Sequence, residues 1–126
     1  MAESGGAGAD PGRVETTGGA VAMRASGGAT VLTVSGALDL ALAPKLRQLV
    51  DRAARTDVPV VVIDLTAVDF LASAGMAVLV WAHRQPEPSD VRVVASGRLT
   101  MRPLELTRLT DELAVFPSLP AALEGV

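Results

Sequence analysis

The side chains in this 126-residue chain that could do chemistry gather around one serine. Ser73 opens an apolar block, Ser73-Ala74-Gly75-Met76, and the carboxylates Asp39, Asp64 and Asp69 precede it. A serine at the start of a helix faces free amide N–H groups and the positive end of the helix dipole, where phosphate is well tolerated. The same serine could simply cap the helix by accepting a bond from one of those amides. Asp64 and Asp69 have the types needed for acid–base work or for Mg²⁺. Nothing else converges on them, however. The chain has no cysteine and one histidine, which excludes disulfides, thiol catalysis, thiolate metal sites and a histidine-rich metal centre. No nucleophile–base pair is visible, so catalysis is not expected, and no cofactor or metal is called for. The chemistry that fits is a hydroxyl offered for modification at a binding surface.

That serine has to be positioned by the stretch from Val60 to Arg84. Val60-Val61-Val62-Ile63 is apolar and β-branched and is closed by Asp64-Leu65, which reads as a buried strand. Thr66 to Ala72 reads as a connecting acidic loop. Ser73 then caps a helix whose apolar residues Met76, Leu79 and Val80 face the sheet and which ends at His83 and Arg84. His83 reads as a structural or surface residue, and Trp81 as core or interface.

The flanking segments supply the rest of an α/β domain. Val21–Arg24 and Thr30–Ser35, joined by Ala25-Ser26-Gly27-Gly28, predict a hairpin. Gly36-Ala37-Leu38-Asp39 interrupts the second strand, and Asp39 is placed either to cap the following helix or to face a partner. Leu42, Leu46, Leu49, Val50 and Ala53 recur at the helical period, with Pro44 in the first turn. Gln85 to Ser89 is a loop, and Val91–Ala95 a strand. Thr100 caps a third helix in which Pro103 is tolerated because it lies in the first turn. Leu113–Phe116 is a brief strand, and Ser118–Leu123 a closing helix. The order β-β-α-β-α-β-α-β-α predicts a mixed four- to five-stranded sheet with about four helices.

Bulk properties narrow the class. Hydrophobic residues make up 49% of the chain but aromatics only 2%, so Val, Leu and Ala must fill the core. The net charge of −3 gives no footprint for nucleic acid. The longest mainly apolar stretch, Phe70 to Ala82, is too short to span a bilayer. With no secretion-signal pattern, a cytoplasmic protein is expected. Met1 to Gly19 carry six of the chain's twelve glycines and almost no large apolar side chain, so residues 1–19 are expected to be a disordered tail and residues 20–126 the domain.

At this point the chain resembles the STAS domains, in particular bacterial anti-sigma factor antagonists, over Val21 to Leu123. Ser35-Gly36-Ala37-Leu38-Asp39 resembles the family's Gly-x-Leu-Asp turn. Val62-Ile63-Asp64-Leu65 through Val68-Asp69-Phe70-Leu71-Ala72-Ser73-Ala74-Gly75-Met76 resembles its strand-Asp-Leu followed by Phe-hydrophobic-Asp-Ser-Ser/Thr-Gly-Leu. Leu106-Thr107-Arg108-Leu109 stands where the family has Thr-Gly-Leu. The resemblance implies the STAS fold, and it implies a partner switch. The unphosphorylated protein binds an anti-sigma factor that is also a serine kinase, which frees the sigma factor. The kinase then phosphorylates the serine at the helix tip, binding is lost, and a serine phosphatase restores it. Position by position, the phosphoacceptor falls on Ser73, and the partner surface on Asp39, Asp69, Ala72, Ser73, Ala74, Gly75 and Met76. A monomer or weak dimer is expected.

Three positions depart from the pattern. Ala72 replaces an aspartate that could help the kinase orient the hydroxyl. Ala74 replaces a second hydroxyl, leaving Ser73 as the sole acceptor at the tip. Arg108 replaces a helix-ending glycine, so that cap must be non-left-handed or mildly strained. A different class of function consistent with the fold is a STAS-type accessory subunit of a membrane transport complex.

Overall fold

The β-branched runs become strands, and their order in the sheet follows their order in the chain. The computed structural model describes residues 12–126. Six strands form one sheet in the order β1-β2-β3-β4-β5-β6. They are β1 (Arg13–Glu15), β2 (Gly19–Ser26), β3 (Ala29–Leu38), β4 (Val60–Leu71), β5 (Asp90–Val94) and β6 (Ala114–Phe116). Among the described residues the helices are α1 (Ala43–Ala54), α2 (Ser73–Arg84), α3 (Arg98–Leu106) and α4 (Leu119–Ala122), with a 3₁₀ turn at Leu109–Asp111. The first three strands are antiparallel, and β3 through β6 are parallel, each joined to the next through a helix.

Winding in one direction stacks α1, α2 and α3 on one face of the sheet. Leu46, Leu79 and Leu104, one from each helix, share a core with Leu32, Val34, Leu38, Ile63 and Leu65 and are completely buried. Each such leucine contributes about 1.5–3 kcal/mol by leaving water. The opposite face is partly covered by α4, around Ala29, Val31, Val60, Val62, Val94 and Ala122. Arg92 latches α4 to β5 by donating to the Ala122 carbonyl (2.8 Å) while paired with Asp90 (2.9 Å).

Several expectations are corrected. The sheet has six strands rather than four to five, because Arg13–Glu15 of the expected tail pair with Ala20–Ala22 as β1. Three residues suffice here since the edge of β2 supplies their partners. The remainder of the expected tail, residues 1–11, lies outside the described residues. The hairpin turns at Gly27-Gly28, with Gly27 at φ +58°. β3 continues through Gly36 to Leu38 instead of stopping, since Gly36 at φ +75° absorbs an irregularity in its pairing with β4. The connection expected from Thr66 to Ala72 is strand as far as Leu71. Its polar residues are outward-facing strand positions, not loop.

α3 begins at Arg98, so Thr100 is not its cap and Pro103 lies beyond the first turn. Thr100 is buried and donates to the Ser96 carbonyl instead (3.2 Å). On α2, Val78 and Leu79 are buried, whereas Val80 and Met76 are half-buried. Arg108 adopts φ 62° and ψ 23°, the strained of the two alternatives at that cap.

Candidate functional site

The local geometry at Ser73 follows from where β3 and β4 end. Leu38 and Leu71 are the last residues of the two parallel strands and are register partners. The Ala72 amide then donates to the Leu38 carbonyl (3.0 Å), tying the start of α2 to the end of β3. Ligand and partner sites on open parallel sheets favour this carboxyl end.

Ser73 is exposed and is the first residue of α2, so it is not the cap. Ala72 holds the cap position at φ −85° and ψ 166°, and no side chain caps the helix. The first intrahelical bond at this end comes from the Met76 amide to the Ala72 carbonyl (3.1 Å). The amides of Ser73, Ala74 and Gly75 therefore stand at an open, partly positive helix end. The first turn carries no acidic residue.

Gly75 is buried against β3. A Cβ added there would lie 2.6 Å from Leu38 Cγ and 2.8 Å from the Leu38 carbonyl oxygen. Ala72 and Ala74 are half-buried beside it. Met76 places its Sδ 3.8 Å from the Thr107 hydroxyl, which joins the first turns of α2 to the end of α3.

Asp39 follows β3 at the same end of the sheet. Its Oδ1 accepts from the Ala41 and Leu42 amides (3.1 Å each), and its carbonyl accepts from the Ala43 amide (2.9 Å). Asp39 thus caps the turn that leads into α1, and it remains half-exposed. The second oxygen, Oδ2, lies on the Gly18 side, 4.0 Å from where a Gly18 Cβ would be.

Asp69 is exposed and occupies the position where β4 slips in register against β3, since Val68 pairs with Gly36 and Phe70 with Ala37. Such bulges re-aim side chains near functional sites. Asp64 does not belong to this group. It is buried, accepts from the Thr66 amide (3.0 Å), and stands seven residues before Leu71, roughly 20 Å away along the strand. At that distance its charge is screened from the tip. His83 sits ten residues along α2 from Ser73, about 15 Å away, and so is no base for it.

Sequence reasoning missed the support beneath this site. Thr16 Oγ1 accepts from the Gly18 and Gly19 amides (3.3 and 3.1 Å), and the Gly18 carbonyl accepts from the Ala37 amide (2.9 Å). Gly19 pairs with Gly36 so closely that a Cβ on Gly19 would lie 2.7 Å from the Ser35 carbonyl oxygen. The signal was Thr16-Thr17-Gly18-Gly19, a side-chain-to-backbone turn followed by two small residues, read instead as part of a tail.

Ser73 thus carries an exposed hydroxyl on an open helix end tied to the ends of two strands, with the turn-capping Asp39 at the same end of the sheet. Residues 20–122 fit the STAS domain model, and the chain belongs to the STAS domain family. Within it, the chain is 35% identical over 100 residues to the anti-sigma-F factor antagonist RsfB of Mycobacterium tuberculosis, covering 79% of this chain and 82% of the relative. It is also similar to the crystal structure of an anti-sigma factor antagonist from Mycobacterium paratuberculosis, with TM-score 0.77 and 34% identity over 84% of this chain and 92% of that one. The unphosphorylated anti-sigma factor antagonist SpoIIAA shares the fold, with TM-score 0.65 and 13% identity over 78% and 89% of the two chains.

Proposed function

We propose that this protein is a cytoplasmic anti-sigma factor antagonist that docks its Ser73 end onto a kinase-type anti-sigma factor and so releases a sigma factor. Phosphorylation of Ser73 ends the complex, and a serine phosphatase restores it. The observation that carries this reading is the exposed Ser73 at the uncapped start of α2. A phosphate there adds about −1.5 to −2 charges. The open amides stabilise it within the free protein, so the modified state is stable in its own right. Within a complex the same charge meets a desolvated interface beside Asp39 and Asp69. A penalty of about 3 kcal/mol, roughly 100-fold in affinity, is enough for a switch.

The names of the relatives support the antagonist part of this reading. The test is a binding titration against the cognate anti-sigma factor with wild type and Ser73→Glu. Wild type is expected to bind and Ser73→Glu to lose about 100-fold. Equal affinities would sink the switch, and no binding by wild type would sink the antagonist reading.

A further inference from the structure

The layer of helices leaves one corner of the sheet uncovered. β5 pairs with β4 only as far as Asp64, so the last seven residues of β4 project beyond it. α3 makes its main strand contacts with the longer β4 rather than with β5 or β6. β6 is three residues long and is the last strand of the sheet. The helix that follows it, α4, packs on the opposite face.

A cleft of about 460 Å³ is left beside α3, the 3₁₀ turn and β6. Met101, Leu113, Val115, Phe116 and Pro117 give it an apolar wall. Of these, Met101, Val115 and Phe116 are only half-buried, so the core does not use all of their surface. Ser96 and Thr110 stand in the same wall, and their hydroxyls have no hydrogen-bond partner among the described residues. A second cleft of about 340 Å³ adjoins the first at Met101, which lines both. Arg98, Arg102 and Glu105 line this second cleft, and all three are exposed. No ion pair joins their side chains to one another or to other described residues. Gly97 lines it too, and a Cβ there would meet nothing within 4 Å, so the approach is open.

We propose that the two clefts form one binding site for a small amphipathic carboxylate. Its apolar body lies against Met101, Val115 and Phe116, and its carboxylate meets Arg98 and Arg102. The size is that of ordinary small-molecule sites, which combine an apolar lining with a few polar groups that fix orientation. Met101 at the junction suits the role, since an unbranched thioether side chain adapts to the shape beside it. The guanidinium fork matches a carboxylate, and it has no carboxylate partner within the protein. Two arginines and one glutamate leave the second cleft with one net positive charge, which suits a monoanion better than a phosphate dianion. No residue of the Ser73 end takes part, so the site stands apart from the proposed function.

The experiment titrates decanoate, and decanol as its uncharged counterpart, into the ¹⁵N-labelled full chain and follows the amide resonances by NMR. Decanoate is expected to give saturable shifts around Met101, Thr110 and Val115, with a dissociation constant on the order of 0.1 mM. Decanol is expected to move the same amides and to bind about tenfold more weakly. Arg98→Gln/Arg102→Gln replaces two exposed side chains and leaves the fold intact. This variant is expected to bind decanoate about tenfold more weakly than wild type and decanol equally well. Met101→Glu is expected to lose both ligands; where that variant does not fold, the wild-type shift map decides. Shifts that are absent at about 1 mM decanoate, or that spread over the surface without saturating, would overturn the site. Equal decanoate affinity for wild type and the arginine variant would overturn the carboxylate end, and the proposal with it.

Discussion

Gly75 sits directly against Leu38: a methyl group on Gly75 would lie 2.6 Å from the Leu38 Cγ atom and 2.8 Å from the Leu38 carbonyl oxygen. The Ala72 amide donates to that same carbonyl (3.0 Å). The end of one strand therefore fixes both the cap and the first turn of the helix that presents Ser73.

Gly75→Ala tests this relationship. Backbone and a completely buried leucine cannot both move aside, so a loss of about 1–3 kcal/mol is expected in urea unfolding. The helix tip shifts with it, so partner affinity falls in the folded fraction as well. A stability change under about 0.5 kcal/mol would show that the contact relaxes freely.

Ala72→Asp should stabilise the protein. Ala72 already has the extended backbone of a cap residue but offers no acceptor to the amides of the first turn. A carboxylate there supplies one, worth about 1 kcal/mol, or about 4 °C in Tm for a domain of this size. The same substitution places a carboxylate next to Ser73, and on the proposed function phosphorylation by the partner kinase should be faster than for wild type, measured by mass spectrometry over time.

Asp39→Ala should remove the bonds to the Ala41 and Leu42 amides and cost about 1–2 kcal/mol. Asp39→Asn retains an acceptor oxygen and should stay within about 0.5 kcal/mol of wild type. The asparagine variant removes the charge alone. If Asp39 repels a phosphate on Ser73 within the complex, Asp39→Asn combined with Ser73→Glu should recover part of the affinity that Ser73→Glu loses.

Arg108→Gly should raise stability by about 0.5–1 kcal/mol. Arg108 is held at φ 62° after α3, and its exposed pair with Asp111 (3.3 Å) contributes little. Glycine occupies that backbone region without a steric penalty, although it loses more freedom on folding. Chemical denaturation of the two proteins side by side decides it, and a destabilised glycine variant would mean that the strain is negligible.

The sequence by itself determined the parallel part of the fold and the place of the serine. Val60 to Ile63 read as a buried strand, and the leucine period from Leu42 to Ala53 as a helix with one apolar face, and both are found so. Ser73 before Gly75 and an apolar block located the start of α2 to within one residue, since Ala72 and not Ser73 holds the cap position. These features are local, because period and propensity act within one segment. Tertiary structure decided what depends on neighbours. Thr66 to Leu71 are strand because β3 and α3 flank them, although their own residues read as a loop. Arg13–Glu15 are ordered because β2 offers an edge, in a segment too poor in apolar residues to fold alone. Asp64 and Asp69 could form a carboxylate pair by residue type alone, yet a register slip and seven residues of extended chain bury one and leave the other near the tip. The two sides of α3 were decided only by β5 pairing with β4 no further than Asp64, which leaves the helix to bury Leu104 and expose Leu99 and Leu106. Pairing partners and free sides belong to segments far apart in the chain, so no window of sequence contains them.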